Sequence, residues 1–466
     1  LRLTTTSTSH HAMTFQAIDP ATEQPLGRHD ATGAEALERA LEASRRAFEG
    51  WRQRPFSERA APMRRAGELL RERRDALAEL MTSEMGKPIA QARGEVTKCA
   101  WVCDHYAERA EVLLTPELVA TDASLSMIRH DPLGPVLAIM PWNYPLWQVF
   151  RFAAPTLMAG NVGLLKHAPN VPGCALEIAA LFADAGMPEG VFQTLLIDTD
   201  ATAEVIADPR VRAVTLTGSV RAGRAVGALA GQHLKPSVLE LGGSDPFVVL
   251  PDADLDAAVA DAVTARTQNN GQSCIAAKRF IVHDDVHDAF VARLRDALAA
   301  LKVGDPRADD TDLGPMARAD LRDDLHDQVT RSVDAGATLA LGGELPGGKG
   351  FFYPVTLLTD VVPGHAAFDE ETFGPVAAVT RARDTEHAVA LANDSVYGLG
   401  ASLWTRDQRL ALSLAPRIAA GNVFVNGFVR SDPRLPFGGI GHSGYGRELS
   451  RSGILAFVNQ KTVWVA

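Results

Sequence analysis

Residues 191–231, VFQTLLIDTDATAEVIADPRVRAVTLTGSVRAGRAVGALAG, decide the fold. VFQTLLI (191–197) is a short apolar run closed by turn residues and reads as a strand. ATAEVIAD (201–208) is a short helix, AVTLTG (213–218) a second strand, and SVRAGRAVGALAG (219–231) a second helix. The alternation extends upstream. VLAIMP (136–141) is a strand, a helical segment follows, NVGLLK (161–166) is a strand, and VPGCALEIAALFADAG (171–186) is a helix stopped by glycine. Strands alternating with helices require right-handed crossovers and a parallel sheet. This is the pattern of a nucleotide-binding, doubly wound α/β domain.

Downstream of VLELGGSDPFVVL (238–250) the alternation resumes. DADLDAAVADAVTARTQ (252–268) is a long helix whose acidic start suits the helix dipole. RFIVH (279–283) is a strand and VHDAFVARLRDALAAL (286–301) an amphipathic helix, so a second α/β domain is expected to begin near residue 243. The N-terminal third reads as helix. In GAEALERALEASRRAFEGW (33–51), Leu37, Leu41, Phe48 and Trp51 share a face, and two charged, Ala-rich helical stretches follow at about 57–83 and 87–113. The tail AFVNQKTVWVA (456–466) alternates like a strand but has no obvious neighbour; another subunit or a remote hairpin is expected to pair with it. No internal repeat or low-complexity block interrupts this order.

The 466 residues are 46% hydrophobic and 22% charged, with a formal net charge of −11. That balance is ordinary for a globular chain of two or three domains and lacks the basic footprint of a nucleic-acid binder. The most apolar stretch, 136–165, is broken by Asn143, Pro145, Arg151, Pro155 and Gly160, so no membrane span is expected. Residues 1–12, LRLTTTSTSHHA, read as a leader or expression scar, with Met13 as a native start. Four cysteines, Cys99, Cys103, Cys174 and Cys274, are too few for a disulfide framework. Cys99 and Cys103 alone do not close a zinc site, so no metal is expected, and reduced thiols suit a cytoplasmic location.

Several residues could carry chemistry. TLTGSVRAG puts Gly218 and Ser219 at a strand-to-helix switch with Gly223 one turn later, a place for a phosphate or a simple turn. Lys166 lies at a strand end, where parallel sheets bind ligands, or is merely solvated. Asn143 in PWNYP either caps a turn or donates to a developing oxyanion. Glu240 in LELGG is a desolvated general base or an edge-strand carboxylate facing water. Cys274, closing NNGQSC after a long helix, is a small buried hydrophobe or a nucleophile.

Taken in order, PWNYP, LLKHAPN, TLTGSVRAG, LELGGSDPF, NNGQSC, EETFGPV and LPFGGIGHSGYGREL resemble the NAD(P)-dependent aldehyde dehydrogenase superfamily, from about Met13 to the C-terminus. PWNYPLWQVFR, KHAPNV and SDPRLPFGG resemble its bacterial succinate-semialdehyde dehydrogenase branch. The resemblance implies two doubly wound Rossmann-type domains plus a small β oligomerisation element. The NAD(P)-binding domain would span 13–112 and 131–242, the catalytic domain 243–440, and the oligomerisation element 113–130 with 456–466. It also implies homodimers or homotetramers and an aldehyde as the small-molecule partner. By the same resemblance Cys274 is the nucleophile, Glu240 the general base, and Asn143 the oxyanion donor beside the Cys274 N–H. Lys166 would contact the adenosine ribose and Gly218, Ser219 and Gly223 the pyrophosphate. Glu371 and Phe373 would hold the nicotinamide ribose and ring, and Trp142 is a further expected cofactor contact. A carboxylate at 240 implies hydrolysis of the acyl-enzyme rather than transfer to a thiol.

Two features depart from the family pattern. Where many NAD-preferring relatives carry Glu three residues after the strand-end Lys, this chain has Pro169. Both cofactors are therefore expected to work, with a slight lean to NAD, and Lys166 and His167 could tolerate a 2′-phosphate. Arg151, eight residues after Asn143, matches the arginine that reads a substrate carboxylate, or serves as a structural ion-pair partner. A second arginine found in some semialdehyde dehydrogenases is Gln268 here, with Arg266 two residues earlier; Arg430 and Arg434 either substitute for it or face water. Arg151, Trp147, Gln268 and Ser431 are the expected substrate contacts, in a tunnel lined by Trp147 and Phe150. The alternatives are a broad aliphatic or aromatic aldehyde dehydrogenase, a cofactor-free thiol esterase, and a non-catalytic use of the fold.

Overall fold

A computed structural model describes residues 13–466; the expected leader, 1–12, lies outside the described residues. The N-terminal third forms four helices, Ala34–Trp51, Phe56–Glu72, Arg74–Met85 and Ile89–Leu113. The stretch expected as one helix over 57–83 is two, because the chain leaves helical geometry at Arg73 (φ −99°, ψ 11°). That break lets both pieces pack on Ile89–Leu113. A hairpin of Thr14–Ile18 with Pro25–Asp30 precedes them and was not expected from the pattern.

The first sheet has six strands in the order Gly444–Tyr445, Ser237–Glu240, Ala213–Thr217, Pro135–Met140, Val162–His167, Phe192–Thr194. The last five are parallel and nearly all buried, which is why they read as uninterrupted apolar runs. The run at 191–197 contributes only Phe192–Thr194 as strand. Beyond it Leu196 gives its backbone bonds to Thr32, its N–H to Oγ1 at 3.0 Å and its carbonyl to the Thr32 N–H at 2.8 Å. The antiparallel strand Gly444–Tyr445 returns from the far end of the chain to pair with Leu239 and Glu240.

The second sheet has seven strands in the order Thr338–Leu341, Thr356–Thr359, Val376–Ala382, Ala277–His283, Asp245–Val249, Gly400–Trp404, Asn422–Val425. All neighbours are parallel except the first pair. The molecule is thus α/β with two doubly wound, Rossmann-like sheets. The terminal strand Val458–Val465 pairs antiparallel along its whole length with Leu125–Pro132 of the same chain, and Glu117–Leu118 adds a third strand. This small sheet leaves Leu118 and Trp464 exposed. Among the described residues no helix is long and apolar enough to cross a membrane.

Candidate active site

In the first sheet the chain starts at Pro135–Met140, runs outward through Val162–His167 and Phe192–Thr194, then crosses back to Ala213–Thr217 on the other side. The reversal opens a crevice at the carboxyl ends of the two central strands, where doubly wound sheets bind ligands. Trp142 and Asn143 follow the first of these strands, Gly218 and Ser219 follow the second, and Lys166 and Glu240 close their neighbours. Ser219 caps the helix Val220–Gln232, its Oγ accepting from the Ala222 N–H at 3.3 Å. At Gly223 a Cβ would lie 2.5 Å from the Leu241 methyls, so glycine lets this helix close on the sheet. Lys166 is half-buried, and desolvation lowers its pKa. A capped helix N-terminus and a partly desolvated lysine at one crevice fit the phosphates of a dinucleotide. His167 does not face the crevice: it is buried, its Nε2 donates to the Pro145 carbonyl at 2.8 Å, and its Nδ1 accepts from the Ala168 N–H. Burial holds its pKa near 4, so it offers no charge to a phosphate.

The second sheet presents the amino ends of its strands to this crevice. Cys274 lies three residues before the strand Ala277–His283, after a turn in which Asn269, Asn270 and Gly271 all take positive φ (56°, 58° and 73°). Asparagine tolerates that region because its amide bonds locally. Asn269 Nδ2 donates to the Asn143 carbonyl at 2.7 Å and the Gln272 carbonyl at 2.9 Å, while Asn143 Nδ2 donates to Gln272 at 3.1 Å. The Asn143 loop and the Cys274 loop are therefore clamped together. Lys278 Nζ donates to the carbonyls of Ser273 (2.9 Å) and Cys274 (2.8 Å) and reaches Glu371 Oε1 at 3.3 Å. The same Glu371 oxygen accepts from the Gly243 N–H at 2.9 Å. Phe373 meets Trp142 edge-on, centroids 5.9 Å apart.

Burial pushes the Cys274 thiol up to about 12, opposed by the charges of Lys278 and Arg151. Glu240 is 3% exposed and neither carboxyl oxygen has a hydrogen-bond partner. Desolvation first, and the neighbouring Glu448 carboxyl second, raise it well above the usual carboxylate range, with Arg151 and Arg447 opposing. The pairing of Glu240 with Glu448 was not anticipated. Glu448 sits in the GYGREL stretch, and only the fold folds that stretch back against the first sheet.

Arg151, Trp147, Gln268, Ser431 and Cys274 line one cavity of about 490 Å³. Arg151, however, is engaged. It forms a buried ion pair with Glu448 and lies over the Phe437 ring at 4.8 Å, so it serves as a structural ion-pair partner. Phe150 does not line the cavity; it is fully buried and packs on Phe182 at 5.1 Å. Arg266 is also buried, donating to the Gly271 carbonyl at 2.6 Å, and Arg434 is tied to Asp432 on the surface. Arg430 lines the cavity from an exposed position. Lys98, which had no sequence signal beyond being one more lysine on a helix, lines it from Ile89–Leu113. On the same helix Glu95 pairs with buried Lys87 and accepts the backbone N–H groups of Leu146 (2.9 Å) and Trp147 (2.8 Å). A carboxylate there fixes the start of the helix Trp147–Met158.

Residues 6–463 match the aldehyde dehydrogenase family. The chain is similar to the probable succinate-semialdehyde dehydrogenase [NADP(+)] of Synechocystis sp., 54% identical over 97% of this chain and 100% of that protein. It is 52% identical to the succinate semialdehyde dehydrogenase [NAD(P)+] Sad of Escherichia coli K12, over 96% of this chain and 97% of that one. The crystal structure of succinic semialdehyde dehydrogenase from Streptococcus pyogenes in complex with NADP+ superimposes with a TM-score of 0.95 at 38% identity, covering 97% and 99% of the two chains. With the crevice, the clamped cysteine loop and a near-complete match in length, the chain belongs to the aldehyde dehydrogenase family.

Proposed function

We propose that this NAD(P)-dependent aldehyde dehydrogenase oxidises succinate semialdehyde to succinate through Cys274. The observation that carries the reading is Cys274 on the wall of a cavity that also presents Lys98 and Arg430, two cations with no carboxylate partner among the described residues and suited to an aldehyde with a carboxylate. The names of the relatives agree with it.

The thiol raised by burial needs a base, and Glu240, carrying its own raised pKa, is a strong one once ionised. Cys274 Sγ, its proton passed to Glu240, attacks the aldehyde carbon and forms a thiohemiacetal. The oxyanion is held by the Cys274 N–H and by the Asn143 amide, which turns from the Gln272 carbonyl to do so. The nicotinamide, when bound, supplies the acceptor for the hydride lost from that carbon, and a Cys274 thioester remains. Glu240 then takes a proton from water, whose oxygen attacks the thioester and releases the acid. Lys166, Gly218, Ser219 and Gly223 would hold the adenosine and pyrophosphate end of the cofactor, and Glu371, Phe373 and Trp142 the nicotinamide end.

A lean toward NAD finds no support, since the relatives are named for NADP(+) or NAD(P)+. With His167 turned inward, acceptance of a 2′-phosphate rests on Lys166 and on the absence of a carboxylate at Pro169. The exposed face of the small sheet suits assembly as a homodimer or homotetramer.

The test is reduced-nicotinamide formation with succinate semialdehyde, hexanal and benzaldehyde, each with NAD and NADP. A preference for the semialdehyde of about a hundredfold in kcat/KM, ~2.7 kcal/mol, supports the substrate. A flat or reversed profile replaces it with a broad aldehyde dehydrogenase.

A further inference from the structure

The cations around the cavity differ in what they are free to do. Arg151 would have to leave Glu448 to meet a ligand, and Lys87 would have to leave Glu95. Lys98 is different. Its ammonium lies over the Trp147 ring at 4.2 Å and donates to Ser431 Oγ at 2.8 Å. Among the described residues it forms no ion pair with a carboxylate. An ammonium has three donors, so N–H directions remain after the bond to Ser431. Ser431 Oγ also accepts from Trp147 Nε1 at 3.1 Å. With both bonds received, its own hydroxyl proton is left for a further acceptor. Lys98, Ser431 and Trp147 all line the cavity that holds Cys274.

We propose that Lys98 is the specificity-determining residue that receives the substrate's distal carboxylate, with the Ser431 hydroxyl as second donor. The inference rests on the reading of the substrate as a short aldehyde bearing a carboxylate. A carboxylate arriving there breaks no existing ion pair and supplies the counter-ion that a desolvated ammonium lacks. Burial, and then the neighbouring Arg151 charge, lower the Lys98 pKa to about 8, with Glu95 and Asp432 only partly opposing.

Lys98→Met keeps the stem that packs on Trp147 and removes the charge. The ratio of kcat/KM for succinate semialdehyde to that for butanal should fall about 10- to 100-fold, carried by KM rather than kcat. Lys98→Arg should restore most of the ratio. A second readout needs no turnover: succinate should protect Cys274 from alkylation in the parent protein, and protection should be lost in Lys98→Met. If the parent prefers the semialdehyde and Lys98→Met keeps that preference, or loses both aldehydes in step, Lys98 does not read the carboxylate. If the parent itself shows no preference, the substrate reading fails and takes this assignment with it.

Discussion

Replacing Arg151 by methionine removes one member of a buried pair and leaves the other in place. The side chains of Arg151 and Glu448 are 2% and 7% exposed, so solvent screening is slight. Removing one partner of such a pair costs about 3–5 kcal/mol, because a carboxylate is left desolvated without its counter-charge. Here the cost has a second part, since Arg151 also draws down the pKa of Glu240. Without it both carboxyls move further up. A carboxyl with a raised folded-state pKa is no penalty below its unfolded pKa and destabilises as pH rises toward the folded value. Arg151→Met should therefore melt below the parent at neutral pH, and the gap should narrow in mild acid. A second change, Glu448→Gln, removes the stranded charge and should recover part of the loss, the coupling that a double-mutant cycle isolates. Both kcat/KM values, for succinate semialdehyde and for butanal, should drop in step, because Glu240, as the proposed base, would serve both. A normal melting temperature with a selective loss of the semialdehyde would refute this reasoning and return Arg151 to the substrate.

Further expectations concern the reaction centre. Cys274→Ala should abolish oxidation yet retain dinucleotide binding, measured by quenching of tryptophan fluorescence; residual turnover would remove Cys274 as nucleophile. Glu240→Gln should slow the steady state roughly 10²–10⁴-fold, and unchanged rates would exclude Glu240 as the base. With the Cys274 thiol pushed up to about 12, alkylation by iodoacetamide in the cofactor-free protein should climb with pH, about tenfold per unit, without levelling near the ordinary thiol value of ~8.5. A plateau there would show that burial does not control this thiol. In Gly242→Ala the new Cβ would fall 2.3 Å from Glu371 Oε2 and displace that carboxylate, so KM for the dinucleotide should rise about tenfold or more, and an unchanged KM would mean Glu371 does not hold the cofactor.

The parallel strands and their helices were legible in the sequence because strands such as Val162–His167 are buried on both faces and flanked by glycine and proline turns. The residues at their carboxyl ends were legible for a related reason. Asn143, Lys166, Gly218 and Glu240 each directly end or follow an apolar run, so placing the strand places the residue. Pairing of the tail with Leu125–Pro132 was only half visible: alternation marks a strand, but a partner more than three hundred residues away leaves no local trace.

Tertiary structure alone decided how the charges are used. Arg151 looked the same in sequence whether it faced a substrate or a carboxylate, and only the return of Glu448 to the first sheet assigned it to the latter. Lys98 carried no signal, because a lysine on a helix is distinguished by what the opposing surface places against it, here Trp147 and Ser431. His167, set beside Lys166 in the chain, was separated from the crevice by the alternation of a strand, which sends neighbouring side chains to opposite faces. Sequence by itself determined the order of elements and the chemistry available at the strand ends, since those follow from local periodicity. Which ions pair and which stay free was settled only when segments far apart in the chain met, because the energy of a charge depends on its burial and neighbours rather than on its place in the sequence.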